Sequence, residues 1–267
     1  MIQRAIIAGS GALPVELAAA QPEAHLVTLA GMAHDLGART QEHRFEKLGA
    51  LIEDLKARGI THVTFAGGMS RPDLNPADFD SYMVETAPRL MAAFQQGDDH
   101  LLRLIITLFE EQGLTVSGAH ELVPDAKAPA GLIAGPAPND QNLADGLRGA
   151  EILSTLAPLD LGQGCVVASG LCLGIETLQG TDALLEFVAR TPAHLHRTAG
   201  VFVKAPKAGQ DLRVDMPAIG PSTIRNVAEA GLSGIILAAG RVLILERSET
   251  LALAASLGVF IYGQEEL

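Results

Sequence analysis

A chain of 267 residues is long enough for one large domain or two smaller ones, each with a core of its own. Apolar residues make up 48% of it, with 28 Gly and 14 Pro, which is typical of a globular chain and excludes a disordered one. The formal net charge of −12 argues against a non-specific nucleic-acid binder, so an anionic ligand would need local positive charge. Two cysteines, Cys165 and Cys172, make neither a disulfide framework nor a zinc spacing. With no apolar run of bilayer length, we expect a soluble, cytoplasmic protein.

The chain begins with a strand, a glycine-rich turn and a helix. Residues 5–8 form a short apolar run, Gly9-Ser10-Gly11-Ala12 follows, and residues 15–20 are helical in character. Pro14 stands where a dinucleotide fingerprint needs its third glycine, and the second strand, residues 25–29, lacks the expected acid at its end. We therefore favour contact between a small ligand and the backbone at Gly11 and Ala12 over a dinucleotide site.

A second glycine-rich turn follows a second unit of the same kind. An amphipathic helix is predicted over residues 47–58 and a strand over residues 62–66, and then come Gly67, Gly68, Met69 and Ser70. In a parallel sheet the two turns would share the carboxyl edge, where ligands of open α/β sheets bind. The simpler alternative is that each turn needs glycine only for its backbone conformation.

The middle of the chain contains the predicted domain boundary. Helices are expected over residues 85–96 and 98–112, and a short strand over residues 114–116. Four prolines with several Ala and Gly follow between residues 123 and 138, a composition typical of a linker. We therefore divide the chain into an N-terminal domain, residues 1–130, a linker, residues 131–139, and a C-terminal domain, residues 140–267.

The second half alternates strands and helices. After a helix over residues 142–156, the residues on either side of Ser169-Gly170 predict a β-hairpin. Thr181 and Asp182 precede a helix over residues 183–190, where Thr181 is either a helix cap or a ligand contact. The remaining elements are a strand over residues 200–203, helices over residues 222–230 and 249–256, and strands over residues 235–237, 242–245 and 259–262.

The charged residues of the second half concentrate between Lys204 and Gly220, in KAPKAGQDLRVDMPAIG. Polar and apolar residues alternate over residues 211–215, which predicts a strand with Arg213 and Asp215 on its polar face. A carboxylate at a strand end near Lys204 and Lys207 is a plausible place for a metal-bridged phosphate. The alternative is a solvated strand edge with internal ion pairs.

Several stretches together, in order, resemble the LpxI-type UDP-2,3-diacylglucosamine pyrophosphatases of lipid A biosynthesis. They are IAGSGALPVELA, FAGGMSRPD, GDDHLLR, QGTDALL, KAPKAGQDLRVDMPAIG and EAGLSGI, and the likeness covers essentially the whole chain. Gly68-Met69 and Gln179 depart slightly from the family pattern. The resemblance implies two α/β domains, the N-terminal one Rossmann-like with a mostly parallel sheet and the C-terminal one with a mixed sheet, and a ligand cleft between them.

The resemblance also implies a reaction: hydrolysis of an acylated UDP-sugar to UMP and 2,3-diacylglucosamine 1-phosphate (lipid X), with Mg²⁺ as the cofactor and Mn²⁺ as an alternative. It places the essential, metal-binding acid at Asp215. We expect Lys204 and Lys207 to neutralise phosphate charge. The residues expected to bind other parts of the substrate are Gly11, Ala12, Gly68, Met69, Ser70, Thr181, Asp182 and Arg213.

Two other functions remain open from the residues alone, a non-catalytic sugar-nucleotide-binding module and a carrier of acylated sugars. We expect no nucleic-acid partner, and peripheral contact with the inner membrane is compatible with an acylated substrate. The oligomeric state is not indicated.

Overall fold

The computed structural model describes residues 2–69, 72–195, 198–265 and 267, and within them it contains two large β-sheets, each with its own helices and core, and one two-stranded pair. One compact unit comprises Met1–Pro124 and Asp211–Asp215. The other comprises Asp125–Gln210 and Met216–Leu267. The short segment Asp211–Asp215 thus belongs to the first unit, although it is far along the chain.

The first unit contains a parallel sheet of five strands in the order β3-β2-β1-β4-β5. The strands are β1 (Arg4–Ala8), β2 (His25–Leu29), β3 (Gln41–His43), β4 (His62–Ala66) and β5 (Thr115–Val116). The helices are α1 (Ala12–Ala20), α2 (Leu48–Ala57), α3 (Ser81–Gln96), α4 (Asp98–Glu111) and α5 (Ala119–Leu122). This confirms the predicted Rossmann-like, mostly parallel domain.

The continuous apolar character of β1 has a direct structural reason. Ile7 packs in one apolar cluster with residues of α2 and α4, while Ile6 packs in a second cluster with Leu17 of α1. A strand buried on both faces has no polar side to alternate with. Strands β2 and β3 lie on one side of β1, whereas β4 and β5 lie on the other. The order of the strands across the sheet therefore reverses between β1 and β4, and the turns that follow β1 and β4 lie at this switch point.

The second unit contains a mixed sheet of six strands in the order β6-β13-β11-β9-β7-β8. The strands are β6 (Gly131–Ala134), β7 (Gly164–Ala168), β8 (Leu171–Ile175), β9 (Val201–Lys204), β10 (Ala218–Ile219), β11 (Gly234–Ala238), β12 (Leu243–Ile244) and β13 (Phe260–Gln264). The strands β10 and β12 form a separate two-stranded parallel pair. The helices are α6 (Asp140–Leu156), α7 (Gly180–Ala189), α8 (Pro221–Glu229) and α9 (Arg247–Leu257). The predicted mixed sheet with helices is confirmed.

The hairpin of β7 and β8 is confirmed in detail. Ser169 and Gly170 have φ values of 50° and 77°. Two consecutive residues with positive φ are characteristic of the two-residue turn whose twist matches that of the flanking strands. The buried carboxylate of Asp145 stabilises this turn, since it accepts hydrogen bonds from the backbone N–H groups of Ser169 and Gly170 at 2.9 and 2.7 Å.

Two local predictions were wrong. Residues 211–215 form a turn and not a strand, because the Asp211 carboxylate accepts the backbone N–H of Arg213 at 3.0 Å and so favours a turn over an extended backbone. Within the predicted linker, residues 131–134 form β6, which pairs antiparallel with β13. Pairing with a distant strand, which local composition cannot indicate, overrides the linker-like sequence there.

None of the helices within the described residues combines the length and the apolar character needed to span a bilayer.

Candidate active site

The two glycine-rich turns of the first unit are hydrogen-bonded to each other. Ser10 and Gly68 exchange backbone hydrogen bonds of 2.9 and 3.0 Å. A Cβ atom on Gly9 would lie 2.2 Å from the carbonyl oxygen of Gly68, and one on Gly67 would lie 2.4 Å from that of Ser10. Glycine is required at both positions because the two backbones approach so closely.

The predicted ligand contacts lie on these joined turns. Gly11, with a φ of 96°, precedes α1, whose first residue is Ala12, and no atom lies within 4 Å of a Cβ built on Gly11. Gly68 lies in the turn–turn contact, and the next residue, Met69, is 37% exposed. Ser70 lies outside the described residues. The structure thus brings Gly11, Ala12, Gly68 and Met69 to one edge of the parallel sheet.

Arg213 is engaged within the first unit by two carboxylates. It donates to Asp211 at 2.7 Å and to Glu110 of α4 at 2.8 Å. Its side-chain hydrogen bonds with Asp211 raise the pKa of Arg213 and lower the pKa of Asp211. Val214 packs against the same apolar cluster as α4. Arg213, predicted to bind substrate, therefore also anchors the turn that carries Asp215.

Asp215 lies at the end of this turn and is partly exposed. Its backbone N–H donates to the carbonyl of Asp211 at 3.4 Å. The side chain that the sequence analysis selected as the metal ligand is thus held on a turn by the contacts of Asp211 and Arg213, and not on a strand.

Lys204 is a buried cation at the end of β9 in the second unit, with only 5% of its surface exposed. Its Nζ donates to the hydroxyl of Thr181 at 2.6 Å and to the carboxylate of Glu176 at 3.2 Å. It also lies 5.7 Å from the centre of the Phe202 ring. Lysine is rarely buried unless paired, and here the pairing is with residues that precede and begin α7.

Thr181 completes this cluster. The helix α7 begins at Gly180, so Thr181 lies in its first turn, and its hydroxyl contacts Lys204 and Glu176. The alternative that Thr181 merely caps the helix is not what the structure shows. Glu176 was missed in the sequence analysis, although a lone acid between the hairpin and a helix start was a signal that could have found it.

The other two predicted residues of the second unit are paired elsewhere. Lys207 donates to the carboxylate of Asp160. The backbone of Asp160 is left-handed, with a φ of 54°. Asp182 accepts a hydrogen bond of 2.8 Å from the side-chain amide of Asn226 on α8. The structure therefore brings Lys204 and Thr181 into contact and gives Lys207 and Asp182 partners of their own.

Within residues 2–69, 72–195, 198–265 and 267, no group of three or more His, Cys, Asp and Glu side chains could hold a metal ion. Mg²⁺ needs no such group, because it is commonly bound by one or two carboxylates, several waters and the phosphates of the substrate. A partly exposed carboxylate such as Asp215 fits that chemistry.

The fold and these side chains define a class: an α/β protein with a Rossmann-like N-terminal domain and a C-terminal domain in which a buried lysine contacts a partly buried threonine and glutamate. Residues 3–126 match the family model of the LpxI N-terminal domain, and residues 129–262 match that of the LpxI C-terminal domain. The UDP-2,3-diacylglucosamine pyrophosphatase LpxI of Caulobacter vibrioides is 38% identical over an alignment of 269 positions that covers 97% of this chain and 96% of the relative. The chain belongs to the LpxI family.

A comparison with solved structures adds little. A GalE-like L-threonine dehydrogenase from Cupriavidus necator aligns over 99% of this chain and 96% of its own, with 14% identity and a TM-score of 0.28. That similarity is too low to relate the two folds.

Proposed function

We propose that the protein hydrolyses the pyrophosphate bond of UDP-2,3-diacylglucosamine in lipid A biosynthesis, releasing UMP and 2,3-diacylglucosamine 1-phosphate (lipid X). The observation that carries the proposal is the match of both halves of the chain, in order, to the two LpxI domains, together with the near full-length relative that bears this activity in its name. Because the substrate carries acyl chains, we further propose that the protein works at the cytoplasmic face of the inner membrane.

The chemistry of a diphosphate sets what the side chains must do. Its oxygens are negatively charged and repel an attacking water, so the protein must neutralise charge and position the nucleophile. The ammonium groups of Lys204 and Lys207 are suited to phosphate oxygens as point charges. Buried Lys204 is held in place by Thr181 and Glu176, whereas Lys207 is more exposed and pairs with Asp160.

The remaining roles follow from the residue types. Asp215 would hold Mg²⁺, or Mn²⁺ in its place, and the bound ion would supply charge neutralisation at the phosphates. The backbone of Ala12 and Met69 would offer hydrogen bonds to uncharged parts of the substrate. Gly68, whose N–H and C=O are bonded to Ser10, would instead fix the shape of the turn next to the substrate. Arg213, held by Asp211, would contact the substrate, and so would Asp182, held by Asn226.

Incubation of the purified protein with UDP-2,3-diacylglucosamine and Mg²⁺, Mn²⁺ or EDTA tests the proposal. We expect UMP and lipid X in equal amounts by mass spectrometry, with turnover lost in EDTA and restored by Mg²⁺. Binding without turnover would instead support a sugar-nucleotide-binding module or a carrier. Oxygen-18 water will show which phosphorus is attacked, since the label appears in only one product.

The role of Asp215 is tested by Asp215→Asn, which keeps the shape of the side chain and removes its charge. We expect an unchanged circular dichroism spectrum and a loss of kcat of about a thousandfold, as for other groups acting directly on the transition state. Asp35→Asn, a change at an exposed acid of the first unit, is the control and should leave kcat unchanged. Turnover of Asp215→Asn close to that of the unmodified protein would remove Asp215 from the mechanism.

A further inference from the structure

The carboxylate of Glu176 contacts both of the predicted substrate-binding side chains that the structure brings together in the second unit. We propose that Glu176 is a positioning residue, which holds the Lys204 ammonium and the Thr181 hydroxyl in one arrangement for the diphosphate of the substrate. The inference deepens the proposed function and rests on it for the identity of that ligand.

Burial and distance support this role. The side chains of Lys204 and Glu176 are 6% and 13% exposed, and their charged atoms are 3.2 Å apart. At such burial a carboxylate and an ammonium interact more strongly than at a solvated surface, and loss of either would leave an unpaired buried charge. The position of the ammonium therefore depends on the carboxylate.

The hydrogen bonds run in one consistent direction. Lys204 donates to Thr181 and to Glu176, and the Thr181 hydroxyl donates to Glu176 at 3.2 Å. An ammonium group has three N–H donors and an ionised carboxylate only accepts. Among the described residues Lys204 donates to Thr181 and to Glu176, so its third N–H can donate to an oxygen of the ligand. Glu176 is where both chains of donation end, which is the arrangement expected of a group that orients the other two.

The backbone around Glu176 is shaped to hold it. Its N–H donates to the carbonyl of Gly164 at 2.7 Å, and its carbonyl accepts from Gly162 at 3.1 Å. A Cβ atom on Gly162 would lie 2.2 Å from the Glu176 carbonyl oxygen, and one on Gly164 would lie 2.6 Å from the Glu176 carboxylate. Glycine at both positions thus leaves the space that this side chain and its backbone occupy.

The first test is Glu176→Gln, which keeps the size of the side chain and removes its charge. We expect kcat/KM to fall about a hundredfold, as for a displaced catalytic group, and the dissociation constant of UDP measured by calorimetry to rise about tenfold. Glu176→Asp should recover part of both losses because it restores the charge. The control is Glu186→Gln, at an exposed acid of α7, which should change neither value.

A double-mutant cycle with Lys204→Met separates positioning from general support of the fold. If Glu176 acts mainly through Lys204, Glu176→Gln should reduce kcat/KM and UDP affinity far less in the Lys204→Met background than in the unmodified protein, because only the Thr181 hydroxyl is left for it to position. If instead the losses of the two single variants multiply in the double variant, or if Glu176→Gln alone stays within about twofold of the unmodified protein, the inference is overturned.

Two further outcomes are also decisive. If Glu176→Gln fails to fold because it leaves Lys204 unpaired, the double variant, which lacks both charges, is compared directly with Lys204→Met. Equal UDP affinity then supports positioning, and a tenfold weaker affinity of the double variant overturns it. Should the unmodified protein bind UDP but show no hydrolysis, the proposed function fails, while the UDP cycle still decides the role of Glu176.

Discussion

At the scale of single residues, Asp211 shows how one carboxylate changes the local structure. It accepts hydrogen bonds from both the backbone and the guanidinium of Arg213, at 3.0 and 2.7 Å. The alternation of polar and apolar residues around it favours a strand, but an Asp side chain that bonds to the backbone two residues later favours a turn. The presentation of Asp215 therefore depends on a neighbour with no predicted role in the chemistry.

The stability of this turn should depend on pH. Because the hydrogen bonds from Arg213 lower the pKa of Asp211, the charged form is favoured in the folded state. The resulting stabilisation is fully present above about pH 4, the ordinary range of this carboxyl, and is lost as the pH falls through the lowered pKa. Since the pair is partly exposed, we expect a contribution of about 1 kcal/mol or less.

Urea denaturation at a series of pH values, compared between the unmodified chain and Asp211→Asn, measures this contribution. The difference in the free energy of unfolding between the two proteins should be largest at neutral pH and should shrink as the pH falls below about 4. A difference that stays constant over that range would contradict the assignment of the stabilisation to the ionised carboxylate.

At the scale of elements, the contact between the turns after β1 and β4 is the feature with the strictest steric demand. A side chain at Gly67 would meet the backbone of the neighbouring turn at 2.4 Å, and the residue has a φ of 87°. Both the left-handed backbone and the close approach exclude other residues. The same contact sets the positions of Gly68 and Met69, which are predicted to contact the substrate.

We expect Gly67→Ala to destabilise the protein by at least about 2 kcal/mol, because the strain of the left-handed backbone adds to the steric conflict. Gly220→Ala is the matched control, since no atom lies within 4 Å of a Cβ built there and its φ is −151°. Chemical denaturation followed by circular dichroism measures both. Equal stability of the two variants would show that the turn can relax without cost.

At the scale of the whole molecule, the chain forms two compact units, and the first of them takes in five residues from within the second half of the sequence. Arg213 and Val214 supply an ion pair to Glu110 and an apolar contact to the core of that unit. The remaining core residues of its sheet lie within the first 124 residues. The first unit is thus nearly, but not wholly, encoded by one continuous stretch.

A fragment of residues 1–124 should therefore fold, as judged by circular dichroism, and be less stable than the same unit in the full chain. Val214→Ala in the full chain should destabilise the unit in the same direction by about 1 kcal/mol, the cost of removing two partly buried methyl groups. A fragment that unfolds at the same urea concentration as the unit in the full chain would show that the segment 211–215 adds nothing to its stability.

The sequence by itself determined the features that depend on near neighbours along the chain. The glycine turns after two apolar strands, the hairpin at Ser169-Gly170 and the helix with Thr181 in its first turn are each specified by local backbone preferences and by side-chain periodicity. The ordered motifs likewise placed the chain in its family, and Lys204 and Thr181 among the candidate site residues.

Only the tertiary structure decided which distant residues meet. It paired residues 131–134 with β13 and joined Ser10 to Gly68. It also made residues 211–215 a turn, because Asp211 bonds to the backbone of Arg213 and Arg213 bonds to Glu110. It also placed Glu176 against Lys204, 28 residues further along the chain. Periodicity reports which face of an element a residue occupies, but contacts between elements depend on how sheets and helices pack, and that packing is a property of the whole fold.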